Sequence, residues 1–325
     1  MALVAVTDHV FHDLDQERRL LADAGHELRF GTNAASVEEV REAVTGADAI
    51  LNCFAPMPAE VIRELDRCVV IARYGIGLDT IDLDEATAKG IVVTNVPDYC
   101  IDEVSDHALA LLMSLARGVT LLDRRVRSGF WASTDARPIH RLRGRTLGLI
   151  GFGRIARALA EKAAPLGFRI VTTDPFVPDD AVRRAGAEPA TLEELLRAAD
   201  YVSIHAPLTA DNRHLIGAEE LAWMKPGAIL VNTSRGPLVD LEALRDALAD
   251  GRLGGVGLDV LEEEPPAADD PLLHRDDVIV TPHAAFYSEE SLEELQRKAV
   301  EQVIEALAGR TPRYAINADA LGRST

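Results

Sequence analysis

The sequence is short of cysteine, of long apolar runs and of basic charge. Its three cysteines, Cys53, Cys68 and Cys100, are too few and too scattered over 325 residues for a disulfide framework or a zinc site. Free thiols in an odd number fit a reducing cytoplasm. No apolar run reaches the roughly 18 residues that a membrane-spanning helix needs. The first residues have no basic n-region, and Asp8 interrupts their apolar run, so no signal peptide is expected. Lys and Arg number 34 against 53 Asp and Glu, a formal net charge of −19. Such a surface repels phosphate backbones and anionic lipid, which argues against nucleic-acid and membrane partners. No Cys, His and carboxylate spacing indicates a metal, and low-complexity segments and short-period repeats are missing as well.

What is present is an ordinary globular composition, 47% apolar and 27% charged. The length suits about two domains of roughly 150 residues. Short β-rich apolar runs recur at Leu3–Val6, Glu27–Phe30, Ala49–Asn52, Val69–Ala72 and Ile91–Thr94. Charged stretches with helical spacing, such as Asp15–Asp23, Val37–Thr45 and Asp82–Lys89, lie between them. Continuous apolar runs rather than alternating ones predict buried parallel strands, hence open sheets wrapped by helices on both faces. One long helix is expected from Ile101 to about Arg127, apolar on nearly all sides around Ala108–Met113, and so in need of burial against a second domain or a second subunit. Residues 128–144 have no clear period and read as a loop or arm. The rhythm resumes with strands near Thr146–Ile150, Arg169–Thr173, Tyr201–Ile204, Ala228–Asn232, Gly255–Asp259 and Val278–Thr281. An amphipathic helix at about Glu289–Leu307 closes the series.

Gly151-Phe-Gly153-Arg-Ile-Ala156 follows one of these strands and opens a helical run, Arg154–Leu166. In that context the glycines have distinct physical tasks. Gly151 permits the tight turn, Gly153 lets a pyrophosphate approach the backbone, and the small Ala156 lets helix and strand pack closely. The diphosphate then sits on a helix N-terminus. Asp174 ends the next strand, where an acid accepts hydrogen bonds from the ribose hydroxyls of NAD and repels the extra phosphate of NADP.

Arg235, Glu264 and His283 each stand just beyond a strand's carboxyl end, which is where open α/β sheets bind ligands. An arginine fork clamps a carboxylate and can polarise an adjacent carbonyl. A histidine exchanges a hydroxyl proton near neutral pH, and a glutamate beside it orients the ring. Together they suit the oxidation of a 2-hydroxy acid, with the hydride passing to NAD. Taken singly each has a plainer reading: a cap or surface arginine, one of three successive solvated glutamates, a hydrogen-bonded structural histidine. His107 and His205 are read as structural.

The chain resembles the D-isomer-specific 2-hydroxyacid dehydrogenases, a family that includes phosphoglycerate dehydrogenase. The resemblance rests on Arg73–Asp82, Asn95–Pro97, Leu149–Ile155, His205–Thr209, Met224–Ala228, Val231–Gly236 and Thr281–His283, in the family's order. The segment Thr281–Glu289 looks most like the C-terminal-binding-protein branch. The resemblance implies a Rossmann NAD domain, 101–287, inserted into a flavodoxin-like substrate domain made of 1–100 plus 288–325, with substrate in the cleft. It implies that Arg235, Glu264 and His283 are the catalytic triad. It further implies that Arg73, Gly75, Ile76 and Gly77 hold the substrate carboxylate, with Tyr74 and Phe286 shaping the pocket. Gly151, Gly153, Arg154, Ile155, Asp174, Pro207, Thr209, Thr233 and Asp259 would contact NAD. A homodimer through the helix from Ile101 and the arm 128–144 is implied too. Phe286 stands where the animal corepressors of that branch carry tryptophan, and no basic cluster in the substrate domain suits a phosphate. Two other readings of the same resemblance are an NAD(H)-sensing, corepressor-like partner-binding protein and a phosphite-type dehydrogenase.

Overall fold

The computed structural model describes residues 1–136 and 138–323. Arg137 of the expected interface arm, and residues 324–325 of the expected substrate domain, lie outside them. The chain divides into two compact units, Met1–Cys100 with Ser288–Thr325, and Ile101–Tyr287.

In the first unit, β1 (Leu3–Val6), β2 (Glu27–Arg29), β3 (Ala49–Asn52), β4 (Val70–Arg73) and β5 (Val92–Thr94) form one parallel sheet in the order β2-β1-β3-β4-β5. That is the flavodoxin-type order. Strands β3, β4 and β5 are buried throughout, as continuous apolar runs predict. Ile50, Ile71 and Val93 join Val40, Val61 and Ile62 in a dry core on one face. The helices Glu289–Leu307 and Asp15–Asp23 pack against each other, and the first also packs on β3 and β4. At their contact Glu17 is fully buried. Its carboxylate accepts from Tyr74 Oη at 3.0 Å and from Gln296 Nε2 at 2.9 and 3.0 Å.

Burial pushes the Glu17 carboxyl above its usual value, against the hydrogen bonds from Gln296 and Tyr74. A raised folded-state pKa contributes stability that is fully present below the unfolded value and is lost as pH rises through the folded one. The thermal midpoint of Glu17→Gln is therefore expected to gain on wild type as pH rises from acid to neutral. A gap that does not change with pH would contradict the burial argument.

The second unit continues with β6 (Thr146–Ile150), β7 (Arg169–Thr173), β8 (Glu188–Pro189), β9 (Tyr201–Ile204), β10 (Ala228–Asn232), β11 (Leu253–Leu258) and β12 (Val278–Val280). All seven are parallel in the order β12-β11-β10-β9-β6-β7-β8, so the winding reverses between β6 and β9. This is the doubly wound, dinucleotide-type arrangement with one added strand. Two apolar clusters cover its two faces, one around Leu149, Leu159 and Leu112, the other around Val202, Leu230 and Leu244. The helix Ile101–Arg117 lies close on β11, because a Cβ on Gly257 would already stand 3.1 Å from Leu111 Cβ.

The single helix expected to Arg127 is two helices, Ile101–Arg117 and Val119–Arg127. Gly118 at φ 62° separates them, a left-handed conformation open to glycine at little cost. The second helix has no buried residue, and its Val119 and Val126 are exposed. The two-residue edge strand Glu188–Pro189 was not expected; it is too short to leave an apolar run. Among the described residues no helix is long and apolar enough to cross a membrane, and no cluster of His, Cys, Asp or Glu could hold a metal.

Candidate active site

The turn after β6 is built for close approach. Gly151 sits at φ 87°, and a Cβ there would stand 2.9 Å from the backbone of His205 and Ala206. Gly153 differs. Its φ is −73°, ordinary for any residue, and a Cβ there would meet nothing in the protein within 4 Å. The open space beside Gly153, at the start of the helix Arg154–Ala163, is thus the place a ligand phosphate needs. Arg154 is exposed and Ile155 half-buried at that helix N-terminus, while Ala156 is buried under it. Asp174 follows β7. Its Oδ2 accepts from Phe152 N at 2.7 Å and its Oδ1 from Phe176 N at 2.8 Å, which ties the acid to the glycine turn.

Thr233 follows β10. It is 8% exposed, and its Oγ1 is buried with no hydrogen-bond partner. A buried hydroxyl so placed calls for an outside donor or acceptor. Pro207 and Thr209 are exposed after β9, where Asn212 Nδ2 donates to Pro207 O and Thr209 N donates to Asn212 Oδ1, both at 2.7 Å. The open cradle at Gly153, the acid at the end of β7 and the unpartnered hydroxyl of Thr233 fit a dinucleotide. His205, beside Gly151, is paired with Ser203 Oγ at 2.9 Å; desolvation pushes its pKa down to about 4, so its ring stays neutral.

The three groups expected to react come from separate loops of this unit. Arg235 lies after β10 with its Nη1 donating to Ser234 O at 2.8 Å. The next residue, Gly236, passes directly under the strip that leads from Leu261 to Glu264. Glu264 Oε1 accepts from Leu261 N at 2.9 Å, and Oε2 lies 2.7 Å from His283 Nδ1. An ionised carboxylate only accepts, so His283 Nδ1 carries the hydrogen of this pair. Burial raises the Glu264 carboxyl, but the hydrogen bond and charge of His283, the Leu261 N–H and the charge of Arg235 together hold it below its usual value. Among the described residues His283 is one of two non-glycine residues at positive φ, 52°. Phe286 stands edge-on to its ring at 6.3 Å between centroids.

Asp259, expected to touch the cofactor, has both carboxylate oxygens engaged by the loop that carries His283. Thr281 Oγ1 and Ala284 N donate to Oδ1 at 2.6 and 2.8 Å, and Ala285 N donates to Oδ2 at 2.9 Å.

In the first unit the Arg73–Gly77 turn follows β4. Arg73 is 6% exposed; Nη1 donates to Tyr74 O at 2.6 Å, while Nε is buried with no hydrogen-bond partner. Its guanidinium lies 5.4 Å from the centre of the Phe54 ring. It crosses Gly75 so closely that a Cβ there would sit 1.2 Å from Nη1. Ile76 and Gly77 are half-buried beyond it. Tyr74 does not shape a pocket: its side chain is 1% exposed and points into the core toward Glu17 and Phe11.

Residues 109–285 match the family described as D-isomer specific 2-hydroxyacid dehydrogenase, NAD binding domain. The chain belongs to this family. It is 42% identical to a glyoxylate reductase of Korarchaeum cryptofilum over 287 residues, 87% of this chain and 86% of that one. With a D-3-phosphoglycerate dehydrogenase of Methanocaldococcus jannaschii it shares 35% identity over 98% of this chain and 60% of that protein. The solved D-lactate dehydrogenase of Aquifex aeolicus, complexed with NAD and lactic acid, is 29% identical, with a TM-score of 0.85 over 94% of this chain and 96% of that one. The protein is an NAD-dependent oxidoreductase that interconverts D-2-hydroxy acids and 2-keto acids.

Gly153→Ala separates binding from folding. With no atom of the protein near the added methyl, stability is expected to stay within about 0.5 kcal/mol of wild type. The NADH dissociation constant, by fluorescence titration, is expected to rise at least about tenfold, because the methyl occupies the phosphate approach. Unchanged NADH affinity would remove Gly153 from the cofactor site.

Proposed function

We propose that the protein reduces a small 2-keto acid of the glyoxylate and hydroxypyruvate class, with Arg235, Glu264 and His283 as the catalytic groups. The observation that carries this reading is the 2.7 Å pair of Glu264 and His283, with the charge of Arg235 acting on Glu264. Bound NADH supplies the hydride. His283 Nε2 gives its proton to the oxygen that becomes the hydroxyl, and Glu264 stabilises the protonated ring and holds its orientation. Arg235 binds the substrate carboxylate and polarises the adjacent carbonyl. Arg73, with a buried unpartnered Nε, and the amides of Ile76 and Gly77 are suited to a carboxylate as well. Phe286 bounds the space next to His283 and supports a preference for small acids. Residues 1–100 with 288–325 are read as the substrate domain, and 101–287 as the NAD domain.

The exposed Phe130 and Trp131, and the helix Val119–Arg127 with no buried residue, support a homodimer through this surface. Three buried free cysteines support a cytoplasmic location. On the segment Thr281–Glu289 we place the chain near the C-terminal-binding-protein branch.

The test is steady-state NADH oxidation with glyoxylate, hydroxypyruvate, phosphohydroxypyruvate and longer 2-keto acids. Turnover is expected with the two smallest, and weak activity with the phosphorylated acid. Tight NADH binding without turnover on any acid would sink the proposal in favour of a sensor. NAD reduction by phosphite in the same assay would favour the phosphite reading.

A further inference from the structure

We infer that His107 is a positioning residue for His283, acting through Thr281 and Asp259. The inference rests on the assignment of His283 as the proton donor. His107 lies on the helix Ile101–Arg117, with Nε2 2.9 Å from Thr281 Oγ1 and 3.5 Å from Asp259 Oδ1. The direction of each hydrogen bond follows from donor counting. Thr281 has one hydroxyl hydrogen, and its 2.6 Å contact with Asp259 Oδ1 uses it, because a carboxylate has none to give. Thr281 Oγ1 must then accept from His107, so Nε2 of His107 carries the hydrogen.

Asp259 gathers the whole loop. Its side chain is 1% exposed, and Ala284 N and Ala285 N donate to the two carboxylate oxygens. Its backbone carbonyl accepts from His283 N at 2.8 Å. The residues on both sides of His283, and His283 itself, are thus tied to one buried acid. The loop needs such fixing because His283 is held at φ 52°, in the left-handed region that only a few per cent of non-glycine residues occupy, histidine more often than most. His107 is the outer end of the chain of hydrogen bonds: it fixes the rotation of the Thr281 hydroxyl, which fixes the carboxylate, which fixes the loop. A helix residue thereby sets where the His283 ring meets Glu264.

The test compares full-length wild type, His107→Leu, His107→Gln, Thr281→Val, the His107→Leu/Thr281→Val double variant and His283→Ala, with the best keto acid of the panel. His107→Leu removes the donor and is expected to lower kcat about tenfold, short of the roughly 10²-fold that a 1 Å misplacement costs. KM for the keto acid and the NADH dissociation constant are expected to stay within about twofold. His107→Gln, which keeps an N–H donor at similar reach, is expected to recover most of kcat. Because both single changes break one chain, the double variant is expected to be no slower than Thr281→Val. Wild-type kcat in His107→Leu would overturn the inference while an inactive His283→Ala leaves the assignment of His283 standing. Multiplying losses in the double variant, no recovery with Gln, or a kcat loss matched by weaker NADH binding would also overturn it. If His283→Ala keeps full turnover, the assignment of His283 fails, and the inference with it.

Discussion

His283→Ala is expected to lower kcat by roughly 10²- to 10⁴-fold, the usual worth of a positioned proton donor. NADH affinity is expected to change little, since the glycine turn after β6 and Asp174 are anchored to each other and not to the imidazole. A matched loss in binding and turnover would mean that the loop had collapsed, so both constants have to be measured. Glu264→Gln is expected to cost less. An amide can still accept from Nδ1, but it cannot stabilise a protonated ring by charge. The pH dependence has a definite sign. The Glu264 carboxyl is held below its usual value, so the ionised form persists as pH falls through the ordinary carboxylate range and is lost only as pH passes the lowered pKa. The acid-side decline of wild-type kcat therefore does not begin at the value of a free glutamate. Full wild-type kcat in His283→Ala, with the true substrate, would end its assignment as proton donor.

The sequence carried much of the fold because burial leaves a one-dimensional trace. Parallel strands covered on both faces are unbroken apolar runs, and Thr146–Ile150, Arg169–Thr173 and Ala228–Asn232 were legible to the residue. Chain order then places Arg235, Glu264 and His283 beyond strand ends, whatever their contacts. What could not be read is which element crosses which. Gly118 looks like any helical glycine until its φ is known. Tyr74 neighbours Arg73 in sequence, yet its ring is buried against Glu17 and Phe11. That the oxygens of Asp259 serve the backbone of Ala284 and Ala285 leaves no mark on its own sequence neighbourhood. His107 lies 174 residues from the threonine it meets. Gly236 carries its reason for being glycine in a contact with a strip more than twenty positions away.

Gly236→Ala is expected to be the most damaging single methyl in the second unit. The added Cβ would stand 1.9 Å from Leu261 C, 2.0 Å from Leu261 O and 2.3 Å from Glu262 N. These are backbone atoms, so no rotamer change relieves the overlap. Ordinary contact begins near 3.4 Å, so the strip must retreat by 3.4 − 1.9 = 1.5 Å. That strip is what places Glu264, through the Leu261 N–H that binds its Oε1. On the other side of the clash stands Arg235, whose carbonyl accepts from Asn232 Nδ2 at 2.8 Å and so cannot move freely. A displacement larger than 1 Å at a catalytic pair costs roughly 10²-fold or more in rate. The overpacking itself is expected to destabilise the protein by about 1–3 kcal/mol in denaturant unfolding. The two effects are separable, because a loss of about 1–3 kcal/mol is smaller than the roughly 5–15 kcal/mol that holds a native domain folded. Gly153→Ala is the matched comparison: the same methyl, no clash, and a defect confined to NADH binding. If Gly236→Ala retained kcat/KM within about threefold of wild type, the strip would not be fixing Glu264 against His283, and the catalytic geometry would have to be held from somewhere else.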